Sequence, residues 1–276
     1  MTYQCPLCHH TLNATQNGFT CTHNHQFDRA KEGYVNLMPV QHKRSKQPGD
    51  NAEMMQARRR FLASEQYHPM REAVAELCKK HLVKTSHQLL DIGCGEGYYT
   101  HYIAQQLQKQ NSATTCYGLD ISKVAIRYAA KRYNHQTMQF CVASSHRLPF
   151  ADHSLDAILR IYAPCDHQEL QRTTTEHGLV ITVTPAARHL YQLRELVYQD
   201  VRLHDESPEN IAGFALLEEQ KLHYEMAMIG SEAEDLLQMT PFAWKASEEI
   251  KVQLQNAPQF DCEADFILRV YRKKDD

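Results

Sequence analysis

The chain has no uninterrupted apolar run near the roughly 18 residues that a spanning helix needs, which excludes a helical membrane protein. Its start, Met1-Thr2-Tyr3-Gln4-Cys5, has no apolar signal region, so a soluble, cytoplasmic protein is expected. No internal repeat or low-complexity tract appears, which argues against solenoids and extended tails. Net charge is only −3, too small to mark the whole chain as a polyanion binder. The 9 cysteines form no even disulfide framework, and Cys78, Cys94, Cys116, Cys141, Cys165 and Cys262 stand singly in helix- or strand-like segments. They read as small buried apolar residues in a reducing compartment.

What is present centres on Leu89-Leu90-Asp91-Ile92-Gly93-Cys94-Gly95-Glu96-Gly97-Tyr98-Tyr99-Thr100. An apolar run ends in an acid, glycines follow at every second position, and a helical stretch begins. The pattern predicts a strand, a tight turn and a helix N-terminus, with bare backbone where a nucleotide-like ligand comes close. A dinucleotide fingerprint would need its last glycine where Tyr98 stands. The arrangement Asp-x-Gly-x-Gly-x-Gly instead resembles motif I of the class I, Rossmann-like methyltransferases that use S-adenosylmethionine (SAM). Asp120, at the end of a second apolar run, stands where a ribose-binding carboxylate belongs.

Strands are expected at 89–92, 115–119, 138–142, 155–161 and 179–183, with helices near 98–108, 124–133 and 168–174 between them. Such alternation predicts an α/β fold with a parallel sheet wrapped by helices on both faces. Two leading helices are expected over 51–62 and 69–82. After Pro185 come a helix over 187–198, an acidic loop and a late pair of antiparallel edge strands around 222–228 and 262–271, with a helix over 232–239.

Ahead of this domain, Cys5-Pro6-Leu7-Cys8 is followed, after twelve residues, by Cys21-Thr22-His23-Asn24-His25. A Cys-x2-Cys turn offers two thiolates to one tetrahedral ion, and Cys21 with His25 supplies two more ligands, His23 being the rival for the last position. Zinc is the expected metal. Phe27 to Pro39 reads as the last strand of this lobe and its exit, and Gln41 to Asp50 as a cationic linker. The basic residues gather early, 11 Lys/Arg against 7 Asp/Glu in residues 1–80. Arg58, Arg59, Arg60, Lys43 and Arg44 are therefore the expected phosphate contacts.

The stretches CPLC, CTHNH, FDRAKEGYVNLMPVQHKR, GDNAEMMQARRRFL, LLDIGCGEGYYT, ASSHRLPF, LRIYAPC and MTPFAW together resemble one family, RlmA, the 23S ribosomal RNA (guanine-N1)-methyltransferases. The resemblance implies a small zinc-ribbon-like RNA-recognition domain at 1–40, a basic linker with leading helices at 41–85, and a SAM-dependent methyltransferase domain at 86–276. It implies methylation of N1 of one guanine in a hairpin of large-subunit (23S) rRNA, by two subunits that form the RNA cleft. Cys5, Cys8, Cys21 and His25 are the implied zinc ligands. Asp91, Gly93, Gly95, Glu96, Gly97 and Asp120 belong to the implied cofactor site, with Tyr67 and His189 as further contacts. Many class I enzymes carry Asp where Ser144 stands, so a hydroxyl or backbone amide is expected to meet the adenine here. Tyr162, at the mouth of the fourth strand, is a candidate stacking surface for the acceptor base. No proton acceptor is assigned; Asp166 and His146 lie nearest. A quinone-type C-methyltransferase and a non-catalytic zinc-dependent RNA-binding adaptor are the competing functions.

Overall fold

A computed structural model of the 276-residue chain describes residues 3–39, 52–82, 87–110, 113–133, 135 and 137–275. The linker 41–50, with Lys43 and Arg44, lies outside the described residues. Three short strands, β1 (Asn13–Ala14), β2 (Gly18–Thr20) and β3 (Gln26–Asp28), form a small antiparallel sheet. The main chain then runs β4 (Val35–Asn36), α1 (Ala52–Ala63), α2 (His68–His81), β5 (Gln88–Ile92), α3 (Tyr98–Gln110), β6 (Thr115–Asp120), α4 (Lys123–Tyr133), β7 (Met138–Val142), β8 (Leu155–Ile161), α5 (His167–Thr173) and β9 (Thr174–Pro185). It closes with α6 (Tyr191–Val197), β10 (Phe214–Met228), α7 (Gly230–Gln238), α8 (Glu248–Gln255) and β11 (Phe260–Lys273).

Local chemistry sets several boundaries. Pro69 in the first turn of α2 forgoes an N–H that has no helical partner anyway. The Asp166 carboxylate caps α5 by accepting the Gln168 N–H, so this acid is a helix cap. The expected helix over 187–198 is shorter: Leu190, at a φ of 54°, separates the turn at 187–189 from α6.

The large sheet has the order β10-β11-β9-β8-β5-β6-β7-β4. β8, β5, β6 and β7 run parallel, and β9 joins them in parallel register through Leu179 to Val183. The expected late antiparallel pair is β10 and β11, with β11 placed between β10 and β9. At the opposite edge β4 adds two residues in parallel to β7, Val35 facing Cys141 and Asn36 facing Val142. Of the segment 27–39, expected to hold the last strand of the zinc lobe and its exit, β3 is that strand, and the exit enters the large sheet as β4.

Successive strand residues point to opposite faces, so the sheet divides the core in two. Leu89, Ala157, Leu159, Ile181 and Val183 face residues of α1, α2, α3, α4, α6, α7 and α8. Leu90, Ile92, Tyr117, Ile158 and Val180 face Tyr3, Leu12, Phe19 and Phe150, with Leu170 of α5. Helices lie on both faces as expected, but the second face carries α5 alone with the zinc lobe, because the crossover from β7 to β8 has no helix. The six single cysteines are all buried and free. Among the described residues, no helix is long and apolar enough to cross a membrane.

Candidate active site and metal centre

The turn after β5 reverses tightly. The Gly93 and Cys94 N–H groups both donate to the Leu119 carbonyl, at 2.8 and 3.1 Å. Gly93 adopts a φ of 71°, and a Cβ there would meet the Ala163 methyl at 2.8 Å, so backbone and space both demand glycine. Gly95, at a φ of 56°, has nothing within 4 Å of where its Cβ would be. It faces open space that a side chain would fill, as a cradle for a closely held ligand requires. Gly97 is different in kind: its Cβ would meet the Tyr133 and Phe140 rings, so it serves packing at the start of α3.

Two cavities open on either side of this turn. The smaller, of about 460 Å³, is lined by Gly93, Gly95, Asp120, Ser144 and His146, with Met55 and Arg58 from α1. The Asp120 carboxylate accepts the Gly95 N–H at 3.0 Å and the Ser122 N–H at 2.7 Å, which holds it at the end of β6. Ser144 Oγ accepts the His146 N–H at 3.2 Å, leaving the hydroxyl proton to donate. These are the groups that would hold the adenosine part of SAM: a fixed carboxylate for two ribose hydroxyls, and short polar groups at the base.

The larger cavity, of about 840 Å³, is lined by Tyr67, Asp91, Gly93, Gly95, Glu96, Tyr162 and His189. Tyr98, on the same wall, has a buried hydroxyl with no hydrogen-bond partner among the described residues. An unmet donor at such a site costs about 1–3 kcal/mol, which a polar ligand removes. Asp91 is buried and accepts the Thr100 hydroxyl at 2.6 Å. Burial first, with the charge of Asp120 as a smaller cause, pushes its carboxyl up to about 7 against the pull of Thr100. Glu96 is tied to Arg59 at 2.8 Å.

His189, 7% exposed, accepts the Asp265 N–H at Nδ1 (3.2 Å), and its Nε2 lies 3.3 Å from the Tyr162 hydroxyl. Burial first, with the neighbouring His204 ring and the Arg194 cation as smaller causes, pushes its pKa down to about 3, so the ring is neutral. A neutral ring whose Nδ1 accepts must carry its proton on Nε2, and that proton goes to the Tyr162 oxygen. The phenolic proton is then free to donate elsewhere. Although the residue is 46% exposed, desolvation within the cavity raises the Tyr162 phenol above its ordinary range, so it remains a donor. Tyr162 itself has a φ of 57°, a conformation that an L side chain adopts only when its surroundings impose it.

The sequence-identified residues thus gather around one turn, with Gly97 beneath it. Sequence reading missed Met55 of α1, the stretch from Arg194 to His204, and Thr240 to Lys245, which complete the cavities together with Arg58. Two of the expected phosphate contacts have carboxylate partners within the fold: Arg60 makes a paired contact with Asp235, and Arg59 holds Glu96. Each is a clamp between α1 and the rest of the fold; Arg58 alone of the three lines the cavities.

The ligand atoms of Cys5, Cys8, Cys21 and His25 all lie within 4.8 Å of one another. Cys8 Sγ is 3.6 Å from Cys21 Sγ, and His25 Nδ1 is 3.5 and 3.4 Å from the sulfurs of Cys5 and Cys21. Zinc bonds of about 2.3 Å to sulfur and about 2.0–2.1 Å to nitrogen imply tetrahedral edges of about 3.5–3.8 Å, so the tetrad fits a zinc ion. His23 groups with His10 and Cys8, the two histidine rings 4.2 Å apart, and is not within reach of all three cysteines, whereas His25 is, which makes His25 the fourth ligand. The lobe is docked by Tyr3, whose ring meets Phe19, Tyr117 and Phe150 at 5.4–5.9 Å, and by the Gln4 N–H donated to the Pro149 carbonyl at 2.9 Å. It therefore buttresses the segment from Ser144 to Phe150 that borders the smaller cavity.

Comparison with known proteins agrees with this two-part design. Residues 3–46 match the family described as RlmA, N-terminal, a zinc ribbon, and residues 84–229 match a methyltransferase domain. A Bacillus subtilis protein named for 23S rRNA (guanine-N(1)-)-methyltransferase activity, YxjB, is 29% identical over 98% of this chain and 97% of its own length. A Micromonospora griseorubida protein named for the same activity is 31% identical over 69% of this chain and 68% of its own. Among solved structures, a chain of the Haloferax volcanii complex of the Trm112 activator with a methyltransferase shares the fold, with a TM-score of 0.51 and 19% identity over 82% of this chain and 100% of that one. With a metal tetrad docked on a glycine-turn sheet and both parts matched, the chain belongs to the RlmA family of SAM-dependent methyltransferases.

Proposed function

We propose that this protein transfers a methyl group from SAM to N1 of a guanine in a hairpin loop of large-subunit (23S) rRNA. The observation that carries the reading is the fusion of a zinc-holding lobe to the edge of the methyltransferase sheet, beside the cofactor turn. A small-molecule enzyme has no use for such a lobe, and the intact turn argues against an adaptor without catalysis.

When bound, SAM supplies an activated methyl group on a sulfonium, so the chain's task is mainly positioning. Asp120 and the Gly93–Gly97 turn hold the nucleoside end, and Tyr67, Asp91 and His189 wall the junction with the acceptor cavity. Neutral guanine carries a proton on N1, which passes to water as N1 takes the methyl carbon from sulfur, and its departure leaves charge that spreads onto the O6 oxygen. The Tyr162 hydroxyl, turned outward by the His189 Nε2–H, is the donor suited to O6, and its ring is suited to face the base. A loop guanine leaves its stack at lower cost than a paired one, which favours a hairpin loop as substrate. The reading includes a cytoplasmic protein and a homodimer whose two copies form the RNA cleft, a state that sedimentation tests.

Tritiated SAM is to be offered with unmodified ribosomal RNA, ribosomal subunits and a small-molecule extract as competing acceptors. Counts in RNA, recovered as N1-methylguanosine, are expected. Counts in the extract, or none anywhere, would overturn the reading.

A further inference from the structure

The most exposed large apolar side chain among the described residues stands on the lip of the acceptor cavity. Trp244, 78% exposed, belongs to a 3-10 turn, Ala243–Lys245, between α7 and α8. Thr240, Pro241, Phe242 and Lys245 from this segment all line the cavity. The Thr240 hydroxyl is tied to the Leu237 carbonyl at 2.7 Å, which anchors the segment to the end of α7. Lys245 Nζ lies 5.2 Å from the Trp244 ring centre and 4.7 Å from that of Tyr198, and Tyr198 in turn meets Phe242 at 5.9 Å. The lip therefore offers a ring in solvent, a cation beside it and rings descending into the cavity.

A solvent-facing indole forgoes burial that most tryptophans find, and among the described residues Lys245 is the cation set over it while most of the ring stays open. We propose that Trp244 stacks on an RNA base neighbouring the extruded guanine, with Lys245 near the adjoining phosphate. This rests on the functional reading above and adds to it a site of RNA contact. The occupant follows from continuity with the acceptor cavity, whose four Lys/Arg side chains outnumber its three acids, and from the Lys245 cation beside the indole. An indole stacks on any base, so the platform grips the strand beside the target without reading its sequence.

The chain holds a single tryptophan, so its emission reports on this position alone. The experiment titrates the protein with a short RNA hairpin carrying guanine in its loop, following emission and methyl transfer for wild type, W244A and W244F. Expected are quenching at the RNA concentration that saturates binding, and RNA binding about 5- to 150-fold weaker in W244A, the range that base–aromatic stacking supplies. W244F should keep most of the affinity, and affinity for S-adenosylhomocysteine should stay unchanged in both. Wild-type RNA affinity in W244A would overturn the platform while leaving the methyltransferase reading intact. An emission change that follows protein concentration without RNA would also overturn it, as Trp244 would then sit between two copies of the chain. A wild-type protein that binds SAM but methylates no RNA would remove both proposals together.

Discussion

The two cavities flank one turn yet are built by different means. The smaller is made mostly of backbone and short side chains at the ends of β5, β6, β7 and β8, with Met55 and Arg58 added from α1. The larger draws on long side chains from α1, from the region after β9 and from the segment after α7. A site made of strand ends is fixed by the sheet itself, whereas one made of distant side chains depends on their mutual contacts. Binding the common cofactor suits the first construction, and choosing an acceptor suits the second.

The largest expected effect tests the support under the smaller cavity. Chelating zinc, or Cys5→Ser, should lower Tm by about 10 °C or more, since structural zinc carries much of such a lobe's folding energy and this lobe covers a sheet face. Affinity for S-adenosylhomocysteine should fall with it, through the segment from Ser144 to Phe150. Calorimetry showing an unchanged Tm would refute that dependence.

Next, Asp120→Ala removes a carboxylate that accepts two backbone N–H groups and is assigned the ribose hydroxyls. Affinity for S-adenosylhomocysteine should drop about 10- to 100-fold, as for hydrogen bonds to a charged group. Titration calorimetry giving wild-type affinity would break the assignment of the two cavities. Tyr162→Phe should do the reverse, lowering kcat about 10-fold, one donor to developing charge, with cofactor affinity within about twofold of wild type. A Kd that rises while kcat holds would return Tyr162 to the cofactor side.

The smallest effects separate the cavities by pH. The larger contains two titrating groups of opposite sign. Asp91, raised to about 7, ionises in the unfolded chain first, so its burial costs stability as pH climbs from about 4 to about 7. Asp91→Asn should therefore gain on wild type over that range, by at most about 1.4 kcal/mol per pH unit. His189, held down to about 3, has the reverse slope: stability is complete above about 6.5 and falls as acid protonates the unfolded chain first. His189→Gln should flatten the loss between about pH 6 and 4 in denaturant melts. Identical pH slopes in wild type and both variants would show that neither group is as buried as the geometry requires.

Much of the fold was legible because strand ends and glycine turns announce themselves locally. Thr115 to Asp120 and Met138 to Val142 show β-branched, aromatic and apolar character bounded by turns, and the observed strands match or nearly match the expected spans. The Cys5-Cys8-Cys21-His25 spacing was equally local. What escaped depends on encounters across the chain. Arg59 and Arg60 looked like a basic patch, and only the fold shows their partners to be Glu96 and Asp235. Val35 and Asn36 are too short a run to reveal the strand they join. Leu190 and Tyr162 take positive φ for tertiary reasons that neither residue type suggests. The walls from Arg194 to His204 and Thr240 to Lys245 show no periodicity pointing to a pocket; the motif containing Trp244 was visible, but its place on the lip was not.

The parallel pairing of β4 with β7 bears on how a target is chosen. A finger hydrogen-bonded into the same sheet that holds the donor cannot swing on a tether. The distance from its tip to the place of reaction is a constant of the molecule, so under the proposed function a hairpin would qualify by its dimensions as well as by its letters, as a workpiece qualifies in a fixed jig.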